Sequence, residues 1–341
     1  MNISIVIVTY KRSKELEKCL GSILLQNIQP KEVIVIDNAK DLPTKLLIEN
    51  KKELFQKNSI SLLYIENPRE DSLSVARNVG INLSVGKIIS FVDDDVILGK
   101  DYHEKIMQVF KDYPEALAVQ GYVQNAKENF SISQKDKNIL SKLIEWFYKI
   151  FQINTFFEEN KCRVLPSLCV TYPYPSINKI INCEWLAGCA AVYKREVLEE
   201  FNFDEKLKRF SWCIDQDHPY RIFKKHPNSL FLTPFAKYWH NPSKEGRLPN
   251  KDLIYLVEIC DLYVFYKIID QNFKNKLRYA WRKTGKLFFR RILFNLITLG
   301  WGKPKEGFLK IKYSIGAIIC CLRHLKEIKR GDLDFFNKTL K

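Results

Sequence analysis

ISIVIVTYKRSKELEKCLGSILLQNIQPKEVIVIDN, residues 3–38, holds two different periods, and their order decides the fold. Its two ends, ISIVIVT and EVIVID, are short apolar runs rich in Ile and Val, the composition of buried strands. Between them Leu16, Leu20, Ile23 and Leu24 recur at helical spacing, which predicts a helix over residues 14–26 with Ser13 as its N-cap. Outward from there the alternation continues: a helix over residues 43–56, a strand SLLYIE over 61–66, a helix over 72–83 and a strand KIISFVDDD over 87–95. Strand and helix repeated in this way imply right-handed crossovers and a Rossmann-like, mostly parallel sheet with helices on both faces. In such α/β sheets ligands gather outside the carboxyl ends of the strands. Thr9, Asp37, Asp93, Asp94 and Asp95 all fall at those ends.

The last of these strands runs into FVDDDVILG, residues 91–99. Three adjacent carboxylates repel one another, and burying an unpaired one drives its pKa upward. A bound cation removes the conflict, so the pattern points to a metal site at a strand end. Hard cations such as Mg²⁺ and Mn²⁺ choose oxygen ligands. Residues i and i+2 of an extended strand share a face, which sets Asp93 and Asp95 together and turns Asp94 elsewhere.

Past residue 101 the alternation weakens. An amphipathic helix is expected over residues 141–151, irregular strand and loop over 162–174, and a strand over 185–193 with Gly188 near its centre. Helices are expected from residue 196 and over 215–225, and a strand over 229–240 bends at Pro234. Composition is that of a globular protein, 46% hydrophobic and 28% charged, which excludes disordered and fibrous classes. The opening MNISIVIVTYKRS has no cationic lead and no small-residue cleavage site, so no signal peptide is expected. Nine cysteines fit no CxxC metal pattern and read as reduced, mostly buried thiols.

Six blocks, SIVIVTYKR, EVIVIDN, ARNVG, FVDDD, AGCAAVYKREVLEEFNFDEKL and DQDHPYR, stand in the order seen in family 2 inverting glycosyltransferases of the GT-A fold. The resemblance covers residues 3–240. It implies a nucleotide-sugar donor, a glycan or lipid-linked sugar acceptor, and Mn²⁺ or Mg²⁺ as cofactor. By position it implies Asp95, Asp93 and His240 at the metal, with Asp93 and Asp94 also toward the donor. Asp37 resembles the family's base-reading acid, Thr9 lies beside it, and Arg77 resembles the arginine near the ribose and diphosphate. Asp215 stands where the family has its catalytic base, and Arg221 follows Asp217 at i+4, a good ion-pair distance. The chain departs from the family in DNAKDLP, where Asn38 replaces a second acid, and in IDQD, where Ile214 replaces a common Glu. A sugar nucleotidyltransferase would need a Gly-rich loop after the first strand, and TYKRSKE has none. A membrane-bound scaffold with a decayed transferase site is the non-enzymatic alternative.

The net charge of +16 is unevenly placed: residues 271–330 hold 16 Lys and Arg against 2 Asp and Glu. KLFFRRILFNLITLGWGKP, residues 286–304, is apolar for about 13 residues, short of the ~20 that span a bilayer. Arg291, Asn295 and Thr298 make a polar stripe opposite Phe289, Leu293, Leu296 and Gly300, with Trp281 and Trp301 at the flanks. A second apolar stretch, 313–322, is bounded by Lys310, Lys312, Arg323 and Lys326. Such segments lie in the membrane interface. The expectation is a GT-A domain over residues 1–253, with a nucleotide half over 1–100 and an acceptor half over 101–253. A basic helical segment over 254–341 then binds an anionic membrane surface, cytoplasmic and peripheral on the inner face of the cell membrane. A helical cap with a solvated basic face is the alternative. No motif for nucleic acid is present.

Overall fold

The computed structural model describes residues 2–125, 146–147, 149–153, 156–173, 177–209, 213–243, 245, 248–288 and 304–337. The chain divides into two compact units. The first takes Met1–Ile132, Ser176–Phe210 and Ile214–Arg247; the second takes Ser133–Pro175, Ser211–Cys213 and Leu248–Lys341.

The first unit is built on one sheet. Its leading strands are β1 (Ile3–Thr9), β2 (Glu32–Asp37), β3 (Ser61–Glu66) and β4 (Ile88–Asp93). They are joined by α1 (Ser13–Leu24), α2 (Leu42–Lys57) and α3 (Leu73–Leu83). All four strands are parallel, in the spatial order β3-β2-β1-β4, as right-handed βαβ crossovers require. Every residue of β1 and β2 is buried, which explains why these strands read as unbroken apolar runs.

After β4 come β5 (Val96–Leu98), α4 (Tyr102–Asp112) and β6 (Ala118–Val123). Then follow β9 (Ile181–Asn182), β10 (Ala190–Lys194), α5 (Arg195–Glu200), α6 (Ile214–Lys225) and β11 (Leu230–His240). β10 runs antiparallel between β4 and β6, and β11 continues from β6 to β5. The register of β11 on β6 shifts between Leu232 and Lys237, around Pro234, which has no N–H for the ladder. Two short strands of the second unit, β7 (Phe156–Phe157) and β8 (Thr171–Tyr172), pair in parallel.

Three sequence expectations are corrected. Ser13 is not the N-cap: Arg12 holds that position with no side-chain cap bond, and its guanidinium is engaged with Asp94 instead. The strand expected over 185–193 begins only at Ala190. Upstream of it the Gln120 side chain takes both backbone groups of Ala187, accepting from its N–H at 2.9 Å and donating to its carbonyl at 2.7 Å. Those groups are then lost to any strand partner. Finally, β4 stops at Asp93, and Asp94 and Asp95 form the turn into β5.

The second unit contains α7 (Asn250–Ile268), α8 (Phe273–Gly285), α9 (Pro304–Arg323), α10 (Leu325–Arg330) and α11 (Asp334–Asn337). An ion-pair network joins α7 to the end of α8. Arg282 Nη2 donates to both carboxylate oxygens of Asp261 at 2.6 Å, Tyr279 donates to Asp261 at 2.8 Å, and Lys283 and Lys286 pair with Glu258. All these residues except Lys283 are buried, so the pairing compensates the loss of hydration. Residues 141–145 of the expected helix, and residues 289–303 with their Arg291, Asn295 and Thr298 stripe, lie outside the described residues. Among the described residues no helix is long and apolar enough to cross a membrane.

Candidate active site

The carboxyl rim of the parallel strands gathers most of the expected side chains. β4 delivers Asp93, and the turn after it delivers Asp94 and Asp95. The end of β11 brings His240, whose Nε2 lies 3.1 Å from Asp95 Oδ1. Asp93, Asp95 and His240 each offer one ligand atom, all within 4.8 Å of one another. Asp95 is buttressed from the following loop: Ser243 N–H donates to its Oδ2 at 3.1 Å, and Asn241 N–H to its carbonyl at 3.0 Å.

Asp94, in the turn after β4, is engaged on other partners. It accepts from Thr9 Oγ1 at 2.8 Å and pairs with Arg12 Nη1 at 3.2 Å. Arg12 also reaches Asp95 Oδ2 at 3.5 Å and donates to the Glu245 carbonyl. The sequence reading overlooked Arg12. Its signal was a cation three residues beyond the end of β1, on the rim where three acids converge.

Arg77, on α3, is 3% exposed and faces the rim from below. It donates to the Gly188 carbonyl at 2.8 Å and lies 3.4 Å from Asp93 Oδ1 and 3.7 Å from Asp215 Oδ1. Phe91 and Phe203 present ring faces to its guanidinium, 5.5 and 5.3 Å from their centroids. Asp215 opens α6, where the helix dipole favours an acid. Gly188 N–H donates to its carboxylate. Two residues on, Asp217 is buried and pairs with Arg221 at 3.0 Å, as the i+4 spacing foretold.

Asp37 does not join this group. Its carboxylate closes the turn after β2, accepting from Ala39 N–H at 2.8 Å, Asp41 N–H at 3.0 Å and Tyr64 Oη at 2.8 Å. It is wholly buried, and Asn38 stands next to it at the rim.

The electrostatics divide the acids. Burial pushes Asp93 up to about 6 against the pull of Arg77, and Asp94 up to about 7 against the pull of Arg12. Burial likewise raises Asp215, opposed by Arg77 and the Gly188 N–H. Asp95 is the exception. Burial opposes its ionised form, but the bond and charge of His240, the Ser243 N–H and the Arg12 guanidinium together outweigh it and hold the carboxyl below its usual range. Burial alone would lower His240, but the same bond together with the charges of Asp95, Asp93 and Asp215 raises it. A cluster this rich in carboxylate calls for added positive charge, and two carboxylates with one imidazole suit Mn²⁺ better than Mg²⁺. The donor set therefore fits a divalent cation.

Comparison with known proteins gives first the class and then the family. The mannosyltransferase PcManGT from Pyrobaculum calidifontis, solved with GDP-Man and Mn²⁺, superposes with a TM-score of 0.54 at 16% identity, covering 94% of this chain and 87% of that one. The fold is thus that of the GT-A transferases. Residues 4–201 match Glycosyl transferase family 2, and the chain belongs to that family. Glycosyltransferase GlyA of Streptococcus pneumoniae serotype 4 is 31% identical over 121 residues, 35% of this chain and 16% of that one. Glucosyl-dolichyl phosphate glucuronosyltransferase of Haloferax volcanii is 24% identical over 131 residues, 36% of this chain and 38% of that one. The chain thus spans well under half the length of these curated relatives.

Proposed function

We propose that this protein moves a sugar from a nucleotide-diphosphate-sugar donor to an acceptor hydroxyl, with inversion at the anomeric carbon. The observation that carries the reading is the meeting of Asp93, Asp95, His240, Arg77 and Asp215, drawn from between positions 77 and 240 of the sequence, at one rim. A divalent cation, held by Asp93, Asp95 and His240, would supply positive charge to a departing diphosphate. Arg77, held against the rings of Phe91 and Phe203, supplies a planar guanidinium suited to phosphate or ribose oxygens and lies between the charges of Asp93 and Asp215. Asp215 accepts the proton of the acceptor hydroxyl. Its side chain is 37% exposed, so a substrate can reach it, and burial of its surroundings raises its basicity. Thr9 and Arg12 tether Asp94 and so set the turn that aims its neighbours. Asp37 stiffens the turn that borders the base.

Residues 1–253 form the transferase part of this proposal and residues 254–341 a membrane-binding part. Two features support an anionic membrane surface, on the inner face of the cell membrane, as partner. α8 exposes Phe273, Leu277 and Trp281 at i, i+4 and i+8, flanked by Lys274 and Lys276. α9 exposes Phe308, Ile315, Ile319 and Leu322 on one face, edged by Lys312 and Arg323. A lipid-linked sugar or growing surface glycan as acceptor accords with that placement and with the dolichyl phosphate in the name of the Haloferax relative.

The test is a panel of labelled nucleotide sugars with Mn²⁺, scored for transfer and for donor hydrolysis. Turnover that disappears in Asp95→Asn and Asp215→Asn supports the assignment. Full turnover in both variants, or no metal-dependent nucleotide binding by the wild type, rejects it.

A further inference from the structure

Arg69, Glu70 and Asp71 follow β3, and the strip over residues 201–209 answers them with opposite signs in the same order. Arg69 forks onto Glu205 at 2.8 and 2.5 Å, Glu70 pairs with Lys208, and Asp71 pairs with Arg209. The first two pairs reach solvent, where such contacts contribute little. The third is better covered, with the side chains of Asp71 and Arg209 only 18% and 17% exposed. Arg209 also has a φ of 54°, the left-handed region, which a long side chain adopts only where its surroundings impose it. The start of α3 imposes it. Leu73 N–H donates to the Arg209 carbonyl at 3.1 Å, and Ser72 and Arg209 form a β-bridge.

The rest of the strip is bonded to two helices at once. On the α3 side, Asn78 exchanges both amide ends with the backbone of Phe203 at 3.0 Å and also donates to Glu205, while Ser72 Oγ donates to the Leu207 carbonyl at 3.2 Å. On the α6 side, His218 Nε2 donates to the Phe201 carbonyl at 2.8 Å and Arg221 Nη2 to the Asn202 carbonyl at 2.7 Å. The Phe203 ring stacks on His218, with 4.0 Å between centroids, and presents its face to Arg77. The strip is therefore a spacer between the helix that carries Arg77 and the helix that opens with Asp215. Resting on the glycosyl-transfer reading above, we infer that Asp71 and Arg209 are a pair of positioning residues: they clamp the strip to α3 and so hold Asp215 at its 3.7 Å from Arg77. The pair touches no reacting group itself. It acts through the spacing of the two that do.

The experiment makes Asp71→Arg, Arg209→Asp and the double exchange in the full chain. It follows hydrolysis of the nucleotide sugar that the wild type turns over best, binding of UDP and GDP with Mn²⁺ by calorimetry, and the thermal melt. The exchange is sterically permitted, because Asp adopts the left-handed region more readily than Arg. Each reversal should lower kcat about tenfold or more, since a small misplacement of a catalytic group is costly. Nucleotide affinity should stay within about threefold, because Arg77 keeps its bonds to the Gly188 carbonyl and Asp93. The double exchange should restore kcat to within about threefold of wild type. Where a reversal does not fold, Asp71→Asn removes the charge without adding repulsion, and kcat should still fall several-fold. Full turnover in the single variants, a double variant that regains the melting temperature but not the rate, or a loss of nucleotide affinity as large as the loss of kcat overturns the inference and leaves the transfer reading standing. Absence of turnover of any nucleotide sugar by the wild type overturns both.

Discussion

Asp215 rests against the backbone of Gly188, and nothing larger than glycine fits between them. A Cβ at position 188 would collide with the Asp215 carboxylate and stand 2.8 Å from both terminal nitrogens of Arg77. The glycine is thus the wall that lets a carboxylate and a guanidinium share one side of the site. Gly188→Ala should leave the sheet intact, because the residue precedes β10, yet displace both groups. Displacement by about 1 Å costs on the order of a hundredfold in rate, so kcat should fall by about that factor. Steady-state kinetics beside a thermal melt checks this, and a melt shifted as much as the rate would point to misfolding instead.

Asp215→Asn should lower kcat by roughly 10²–10⁴-fold, the usual range for a general base. Donor affinity should be nearly unchanged, because the role proposed for the residue is on the acceptor. Arg77→Lys is a different lesion. It keeps the charge but loses the planar contacts with Phe91 and Phe203, and it should weaken donor binding as well as turnover.

Asp93→Asn, Asp95→Asn and His240→Ala should each weaken Mn²⁺ binding by about tenfold or more, about 1.4 kcal/mol. Calorimetry without nucleotide reads this directly. Chelation should abolish transfer, and added Mn²⁺ should restore it further than Mg²⁺ does, because one donor is an imidazole.

Much of this site was legible in the sequence, and what was not has a common cause. The bounds of β1, β2 and β3 match the expected runs residue for residue; for the wholly buried β1 and β2 local composition suffices, and the edge strand β3 follows from its β-rich run alone. The strand-end argument brought Asp93 and Asp95 to one rim, and the resemblance added Arg77, Asp215 and His240, which lie against them. What escaped were contacts across long separations. The Gln120 amide that occupies Ala187 acts over 67 positions, and Arg12 meets Asp94 over 82. Asp37 looked free at the end of β2 because Tyr64, 27 positions on, gives no local sign that it donates to that carboxylate.

Acid should strike the second unit through Glu258. Burial works against its charge, but Lys283 and Lys286 outweigh it and pull the carboxyl down to about 2. The stabilisation is therefore complete above the unfolded value near 4.5 and is lost as pH falls toward 2, a contribution on the order of 3 kcal/mol. Glu258→Gln should lower the melting temperature at pH 7, and the difference from wild type should close as pH drops through that window. A difference that stays constant to pH 2 would contradict the pairing.

The apolar face of α9 gives a direct membrane test. Ile315→Glu with Ile319→Glu should reduce flotation with phosphatidylglycerol vesicles several-fold while donor hydrolysis persists. Neutral phosphatidylcholine vesicles should bind the wild type more weakly, and salt should narrow that gap.

β10, lodged antiparallel beside β4, also sets a timetable for synthesis. A ribosome that has released β1 through β5 carries a rim with Asp93, Asp94, Asp95 and Arg77, but with neither Gly188, Asp215 nor His240. Those arrive only with the last third of the sheet's sequence, when β10 slides in and β11 closes beyond it. An interrupted translation product accordingly lacks both Asp215 and His240 of the proposed machinery.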